Sequence, residues 1–164
     1  TAEIFGFPDF NLGLDIASMA QNSVNRTAGY GFKSGISPLP GTKVEVENIE
    51  GMLSNNNWTK SINTSLEANE EKFKDIDSPR LLHIASHGFF MNDISFDDRA
   101  QSFEVNQNDL NSNPLLRSGI LLTGSAKAII LNERGLGEDG ILTAYEISNL
   151  DLSNTFRKFR CFQK

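Results

Sequence analysis

The chain has 164 residues, of which 38% are hydrophobic and 22% charged, so its length and composition are those of a single globular domain. These values exclude a disordered or collagen-like chain, and no apolar run approaches the ~18 residues of a membrane-spanning helix. The net charge of −6 argues against a general affinity for nucleic acid or for an anionic membrane surface. We therefore expect a protein with neither kind of partner.

Charge and cysteine content set the last residues apart. Residues 156–164 hold four basic and no acidic side chains, which leaves a net charge of −10 on residues 1–155. The single cysteine, Cys161, excludes an internal disulfide and fits a reducing compartment. The first residues show neither the charged nor the apolar region of a signal peptide. The sequence therefore predicts a cytoplasmic segment of a longer chain.

In the first third of the chain, apolar runs and helix-start signals predict one strand, one loop and one helix. Residues 3–7 are typical of a strand stopped by Pro8. Residues 11–41 are irregular and rich in glycine, serine and asparagine, which predicts a long loop or insertion. A capping box formed by Thr42 and Glu45 predicts the start of a helix.

The next segment predicts a strand, a helix and a buried strand. Residues 58–62 alternate like a strand, and a second capping box at Thr64 and Glu67 predicts a helix that ends before Pro79. Residues 80–86 form a continuous apolar run of strand length. Such a run is typical of a strand that is buried on both faces.

The second half begins with a polar, acidic stretch at 91–114, which predicts a surface loop. Residues 119–123 and 128–131 are predicted strands, and 133–140 a glycine-rich turn. A third capping box at Thr143 predicts a short final helix. Strands that alternate with helices indicate an α/β fold with a mainly parallel sheet covered on both faces.

Two histidines are candidates for chemistry. His83 and His87 stand four apart, a spacing that suits two zinc ligands on a helix, but in a strand it separates them by ~13 Å. No metal site and no cofactor is therefore predicted. His87 follows the buried strand, where α/β sheets present catalytic groups, and Gly88 can offer an amide to an oxyanion. A histidine bonded only to structure is the alternative for His87 and the prediction for His83.

Several blocks of the sequence together resemble the CHAT domain, a caspase-like cysteine-peptidase family often fused to tetratricopeptide repeats. The most specific block, Leu81–Phe90, resembles the histidine motif of that family. The other blocks follow in the order of the family and lie at 39–43, 113–124, 139–147 and 150–152.

The resemblance implies a caspase-like three-layer sandwich, in which a mainly parallel sheet is flanked by helices. It also implies that His87 is a general base and that Gly88 is part of the oxyanion hole. Such a dyad needs a cysteine on the neighbouring strand, since the imidazole generates the attacking thiolate. In the family an apolar strand leads into Ser-Ala-Cys. Here the basic residues 156–164 follow instead, and Cys161 is the candidate nucleophile.

This departure predicts an incomplete domain. Three basic residues within five do not suit a buried central strand, because each charge would lose its hydration. We therefore expect a partial CHAT domain over residues 1–155 that lacks its last strand or strands. Residues 156–164 would then be a basic tail outside the family pattern.

Three functions follow from the resemblance. The leading hypothesis is an incomplete CHAT-family cysteine endopeptidase domain that keeps the histidine of a Cys/His dyad and is inactive as this chain. The first alternative is a pseudopeptidase that binds a protein or peptide. The second is an active cysteine peptidase that uses Cys161. The expected partner is a polypeptide substrate or a regulatory repeat domain.

Overall fold

The computed structural model describes residues 1–15, 35–90, 113–131 and 138–162. These parts form a six-stranded sheet flanked by helices. The strands are β1 (Ala2–Pro8), β2 (Lys60–Ser65), β3 (Leu81–Phe90), β4 (Ser118–Leu121), β5 (Ile141–Thr143) and β6 (Phe156–Phe162). The helices are α1 (Pro40–Asn55), α2 (Glu70–Lys74), α3 (Ser125–Leu131) and α4 (Ala144–Ser148), and a 3-10 turn spans Pro114–Arg117. The predicted segments 11–41, 91–114 and 133–140 lie largely outside the described residues.

The sheet is mixed, and β3 lies at its centre. The strand order is β2-β1-β3-β4-β5, with β6 paired to β3 outside that path. The pairs β1–β2, β1–β3 and β3–β6 are parallel, whereas β3–β4 and β4–β5 are antiparallel. The predicted α/β class is confirmed. The antiparallel pairs qualify the expectation of a mainly parallel sheet, because β4 and β5 extend the parallel strands with an antiparallel part.

Both faces of the sheet are covered. On one face, α1 contributes Val46 and Leu53 to a cluster with Ala2 and Ile4 of β1. On the other face, Phe73 of α2 belongs to a second cluster, which also contains Phe5, Leu82, Ile84, Ile120 and Leu142. Residues at alternate positions along β1 and β3 therefore serve opposite faces, as the pleat of a strand requires.

The residues predicted to be a basic tail form a strand. Residues 156–162 form β6, which runs parallel to residues 81–87 of β3. Within the described ranges, β3 is the only strand paired with β6. Basic residues are tolerated on such an edge strand and even protect it from pairing with other chains. Basic side chains lose their hydration in a strand that lies between two neighbouring strands, whereas a strand with a single neighbour leaves them access to water.

Two of the three predicted capping boxes do not form. Helix α1 begins at Pro40, and the Thr42 hydroxyl accepts from the amide of Phe7 at 3.0 Å instead of capping the helix. Thr64 lies inside β2, and Asn69 caps α2. A tertiary hydrogen bond therefore uses the Thr42 hydroxyl, and Thr64 belongs to a strand instead of a helix start. The box of Thr143 at the start of α4 is confirmed, with both reciprocal hydrogen bonds present.

One predicted strand is a helix. Residues 128–131 belong to α3, in which Ala128, Ile129 and Ile130 are buried. The error has a physical reason, since a short apolar run buried on all sides carries no period that separates a strand from a helix.

The sheet is tightly packed around Gly119 in β4. A Cβ at this position would collide with the Leu142 carbonyl oxygen and lie 2.9 Å from both Phe89 Cε1 and Thr143 Cα. We expect Gly119→Ala to lower the free energy of unfolding by about 1–3 kcal/mol, measured by urea denaturation. Gly51→Ala is the control, because Gly51 lies in α1 with open space around it and alanine favours a helix by about 0.5–1 kcal/mol. Equal stabilities of Gly119→Ala and wild type would contradict this packing.

Candidate active site

His87 lies at the point where β3 changes partners. Residues 81–87 of β3 pair with β6, and from Gly88 to Phe90 the strand pairs with β4 instead. The prediction that His87 sits beyond the strand end is therefore wrong. The antiparallel partner β4 extends β3 by three residues, and His87 ends only the parallel part. Its side chain is buried, with 3% of the residue exposed.

A hydrogen bond and a ring contact orient the imidazole of His87. Its Nε2 lies 2.9 Å from the backbone carbonyl oxygen of Ser37. A carbonyl oxygen can only accept, so Nε2 carries the hydrogen in this contact and Nδ1 is the unprotonated nitrogen of the neutral ring. The ring of Phe10 packs against the imidazole, with the centroids 5.0 Å apart and the planes tilted by 48°. These contacts orient the imidazole, and the Ser37 carbonyl favours the tautomer with the hydrogen on Nε2.

Gly88, the predicted oxyanion residue, lies within the sheet. It is the register partner of Ile120 in the β3–β4 ladder. Ser86, the residue before His87, donates its hydroxyl hydrogen to the Leu121 carbonyl oxygen. Strand β4 is therefore bonded to β3 on both sides of His87. The backbone around Gly88 is therefore extended and held by β4, and its role as an amide donor stays a prediction.

Cys161, the predicted nucleophile, lies in β6 beside β3. Its register partner is Ser86, and the partner of His87 is Phe162. Neighbouring strands run about 4.8 Å apart, so the structure brings the backbone of Cys161 next to that of the candidate base. The register offsets the two residues by one position.

His83 has a partner of its own. Its Nε2 lies 3.3 Å from Glu45 Oε1, and the histidine is buried between β3 and α1. This contact fits a structural histidine. Among the described residues, no group of three histidine, cysteine, aspartate or glutamate side chains is placed to hold a metal ion.

An ionic cluster on the α2 side of the sheet was not predicted from the sequence, and Glu70 is its only buried member. Lys74 Nζ lies 2.6 Å from Glu70 Oε1, 3.0 Å from Glu138 Oε2 and 2.9 Å from Glu146 Oε1. The second oxygen of Glu70 accepts from the amide of Gly140 at 3.0 Å. The spacing of Glu70 and Lys74, four residues apart on a helix, was the available signal. The cluster ties α2 to residues 138–146.

Burial and hydrogen bonding shift the pKa values of this cluster. Burial raises the pKa of Glu70 to about 8, and a hydrogen bond with Glu138 adds to the effect. The same hydrogen bond lowers the pKa of Glu138. Burial opposes the charged form of Lys74, but hydrogen bonds to the three carboxyl groups outweigh it and raise the Lys74 pKa. For Glu146, burial acts to raise the pKa, and the hydrogen bonds of Lys74 and Thr143 lower it overall.

Comparison with known proteins assigns the family. The profile of the CHAT domain matches residues 15–159 of the chain. Searches of curated proteins and of solved structures found no match. In the parts that the structure describes, no helix has the length and apolar character needed to cross a membrane. The match spans most of the chain and includes β3 with His87 and Gly88, so the chain belongs to the CHAT domain family.

Proposed function

We propose that the chain is a CHAT-family cysteine-peptidase domain that keeps the histidine of a Cys/His dyad and has no peptidase activity as it stands. The family is related to caspase-like peptidases, and one observation carries the proposal. His87 is buried at the end of the parallel part of β3, with Nε2 bound to the Ser37 carbonyl. A base oriented by a third group is the arrangement that activates a cysteine nucleophile.

The orientation of His87 suits a general base. With the hydrogen on Nε2, the nitrogen that can take a proton from a thiol is Nδ1. The contact with Ser37 stabilises the imidazolium that this transfer would form, since the carbonyl oxygen faces a ring N–H in both protonation states. These contacts support retention of the base half of the dyad.

The expectation of inactivity rests on the cysteine half. The residues before Cys161 are Lys158, Phe159 and Arg160, where the family has an apolar strand that ends in Ser-Ala. The register also pairs Cys161 with Ser86 rather than with His87. A base and its nucleophile must lie within hydrogen-bond reach of each other, so a displaced cysteine removes catalysis even when the histidine is intact.

One observation favours the active alternative. Strand β6 runs directly beside β3, so Cys161 and His87 occupy neighbouring strands at the same edge of the sheet. If that arrangement is sufficient, Cys161 is the nucleophile. The binding alternative, a pseudopeptidase that holds a peptide without cleaving it, shares the same site and differs only in turnover.

A peptidase assay separates these functions. The purified chain is incubated under reducing conditions with a library of fluorogenic peptides, next to His87→Ala and Cys161→Ser. We expect all three proteins to show the same background rate. Turnover by the wild type that each substitution separately abolishes would overturn the inactive assignment and establish Cys161 as nucleophile. Saturable peptide binding without turnover, weakened by His87→Ala, would establish the binding function instead.

Glu71→Gln serves as the control variant in this assay. Glu71 is exposed on α2 and lies on the opposite side of the sheet from His87. Its rate and its peptide affinity should equal those of the wild type. A change in this variant would show that the readout follows general charge or stability rather than the site.

A further inference from the structure

The turn after β1 is joined to the segment before α1 by one carboxamide. The Asn11 Nδ2 donates to the carbonyl oxygen of Ile36 at 2.9 Å, and the Ile36 amide donates to Asn11 Oδ1 at 2.9 Å. This pair of hydrogen bonds satisfies both backbone groups of Ile36, as a neighbouring strand would do. It spans 25 residues of sequence.

The turn that carries Asn11 is itself anchored. The amide of Gly124 donates to the Asp9 carbonyl at 3.0 Å, and the amide of Ala126 donates to the Phe10 carbonyl at 2.9 Å. Both bonds tie the turn to the start of α3. Phe10 and Ile36 are each buried in one apolar cluster. Asn11 therefore projects from a fixed support.

The residue after Ile36 is the one that holds the candidate base. The Ser37 carbonyl accepts from His87 Nε2, and the Phe10 ring, next to Asn11 in sequence, packs on the same imidazole. Fixing the backbone of Ile36 thus fixes the position of the Ser37 oxygen. The backbone before it is restricted too. Gly35 has a φ of +117°, and a Cβ there would lie 2.9 Å from Asn11 Oδ1.

We propose that Asn11 is a positioning residue for His87, acting through Ile36 to hold the Ser37 carbonyl on Nε2. The inference rests on the proposed role of His87 as the base of the dyad. Asn11 touches neither the imidazole nor a reacting atom. Its effect is to keep the Nε2–H tautomer dominant, and with it the unprotonated Nδ1.

The test is the tautomer of His87 in Asn11→Ala. Long-range ¹H–¹⁵N spectra of protein labelled with ¹⁵N-histidine distinguish the two ring tautomers, and His87→Gln assigns the signals. In the wild type we expect the Nε2–H form to dominate. In Asn11→Ala we expect the ratio of Nε2–H to Nδ1–H to fall by roughly five- to tenfold, the effect of weakening one hydrogen bond. An unchanged ratio in folded Asn11→Ala would overturn the proposal.

Asn69→Ala is the matched control. The Asn69 carboxamide also makes two hydrogen bonds of 2.9 Å with the backbone, to the Leu66 carbonyl and from the Lys72 amide, but it does so at α2. It should lower stability to a similar degree and leave the His87 tautomer ratio unchanged. A shift of equal size in this variant would show that loss of stability alone moves the ratio and would overturn the proposal.

Asn11→Asp keeps the proposal testable if the alanine variant does not fold. Aspartate retains an acceptor for the Ile36 amide and loses the donor to the Ile36 carbonyl, so the tautomer ratio should lie between those of the wild type and the alanine variant. A ratio equal to that of the wild type would contradict the role of Asn11. The spectra are recorded without peptide, so this result is independent of whether the peptidase assay supports the proposed function.

Discussion

In the wild-type protein, we expect the free energy of unfolding to fall by about 3 kcal/mol as the pH rises from about 5.5 to about 8, and we expect Glu70→Gln to abolish this fall. The cause is the carboxyl group of Glu70, a residue that is only 3% exposed. Burial raises its pKa from 4.5 to about 8. Glutamine keeps an acceptor for the Gly140 amide and cannot ionise.

The sign of this pH dependence follows from whether the folded or the unfolded chain binds the Glu70 proton more tightly. A raised pKa means that folded Glu70 binds its proton more strongly than the unfolded chain does. The resulting stability is fully present below pH 4.5 and is lost as the pH rises through about 8, at up to about 1.4 kcal/mol per pH unit. Glu138 and Glu146 have lowered pKa values. Their contribution is lost only as the pH falls below the ordinary carboxyl range, outside the window tested.

Urea denaturation at several pH values between about 5.5 and 8.5 measures this slope. Glu71→Gln is the matched control, because Glu71 is the exposed neighbour of Glu70 in α2. It should keep the slope of the wild type. All other titratable groups are common to the proteins compared, so the difference in slope isolates Glu70. Equal slopes in wild type and Glu70→Gln would contradict the assignment of the raised pKa.

The second large effect is expected from Phe73→Ala, which should lower the free energy of unfolding by about 3–5 kcal/mol. Phe73 is fully buried, and its ring centroid lies 5.0 Å from that of Phe5. It is the aromatic anchor of α2, a helix of only five residues. Removing the ring leaves a cavity between α2 and the sheet, because the strands beneath cannot move together to fill it.

The pH dependence gives Phe73→Ala a second readout. Glu70 and Lys74 lie on the same short helix, so loosening α2 exposes Glu70 and should also reduce the slope of stability against pH. Leu66→Ala is the control, since Leu66 is 52% exposed and its truncation should change stability by less than about 0.5 kcal/mol. A loss of similar size in both variants would contradict the anchoring role of Phe73.

The sequence predicted correctly those strands and helices whose signals lie within their own residues. The apolar run at 80–86 predicted β3, and the capping box at Thr143 predicted the start of α4, because both signals lie within the element itself. The nature of α3 and the existence of β6 depend on the surroundings. A short apolar run has no distinguishing period when all sides are buried, and a basic strand is acceptable only at an edge.

The residues of the candidate site likewise include some that local sequence indicates and others that only the fold brings together. His87 and Gly88 could be predicted from their motif and from the strand before them. Ser37 could not, because it lies 50 residues from His87 and contributes a backbone carbonyl, which no residue type marks. The ionic cluster also depends on distant sequence, since Glu146 lies 72 residues from Lys74.

The change of partner along β3 has a consequence for synthesis of the chain. Strand β6 ends 72 residues after β3. At translation rates of about 5–20 residues per second, the edge of β3 that pairs with β6 therefore stays unpaired for about 4–14 s. During that time the amides and carbonyls of an apolar strand are open to other nascent chains. We expect newly made protein to depend on chaperones until β6 has been synthesised.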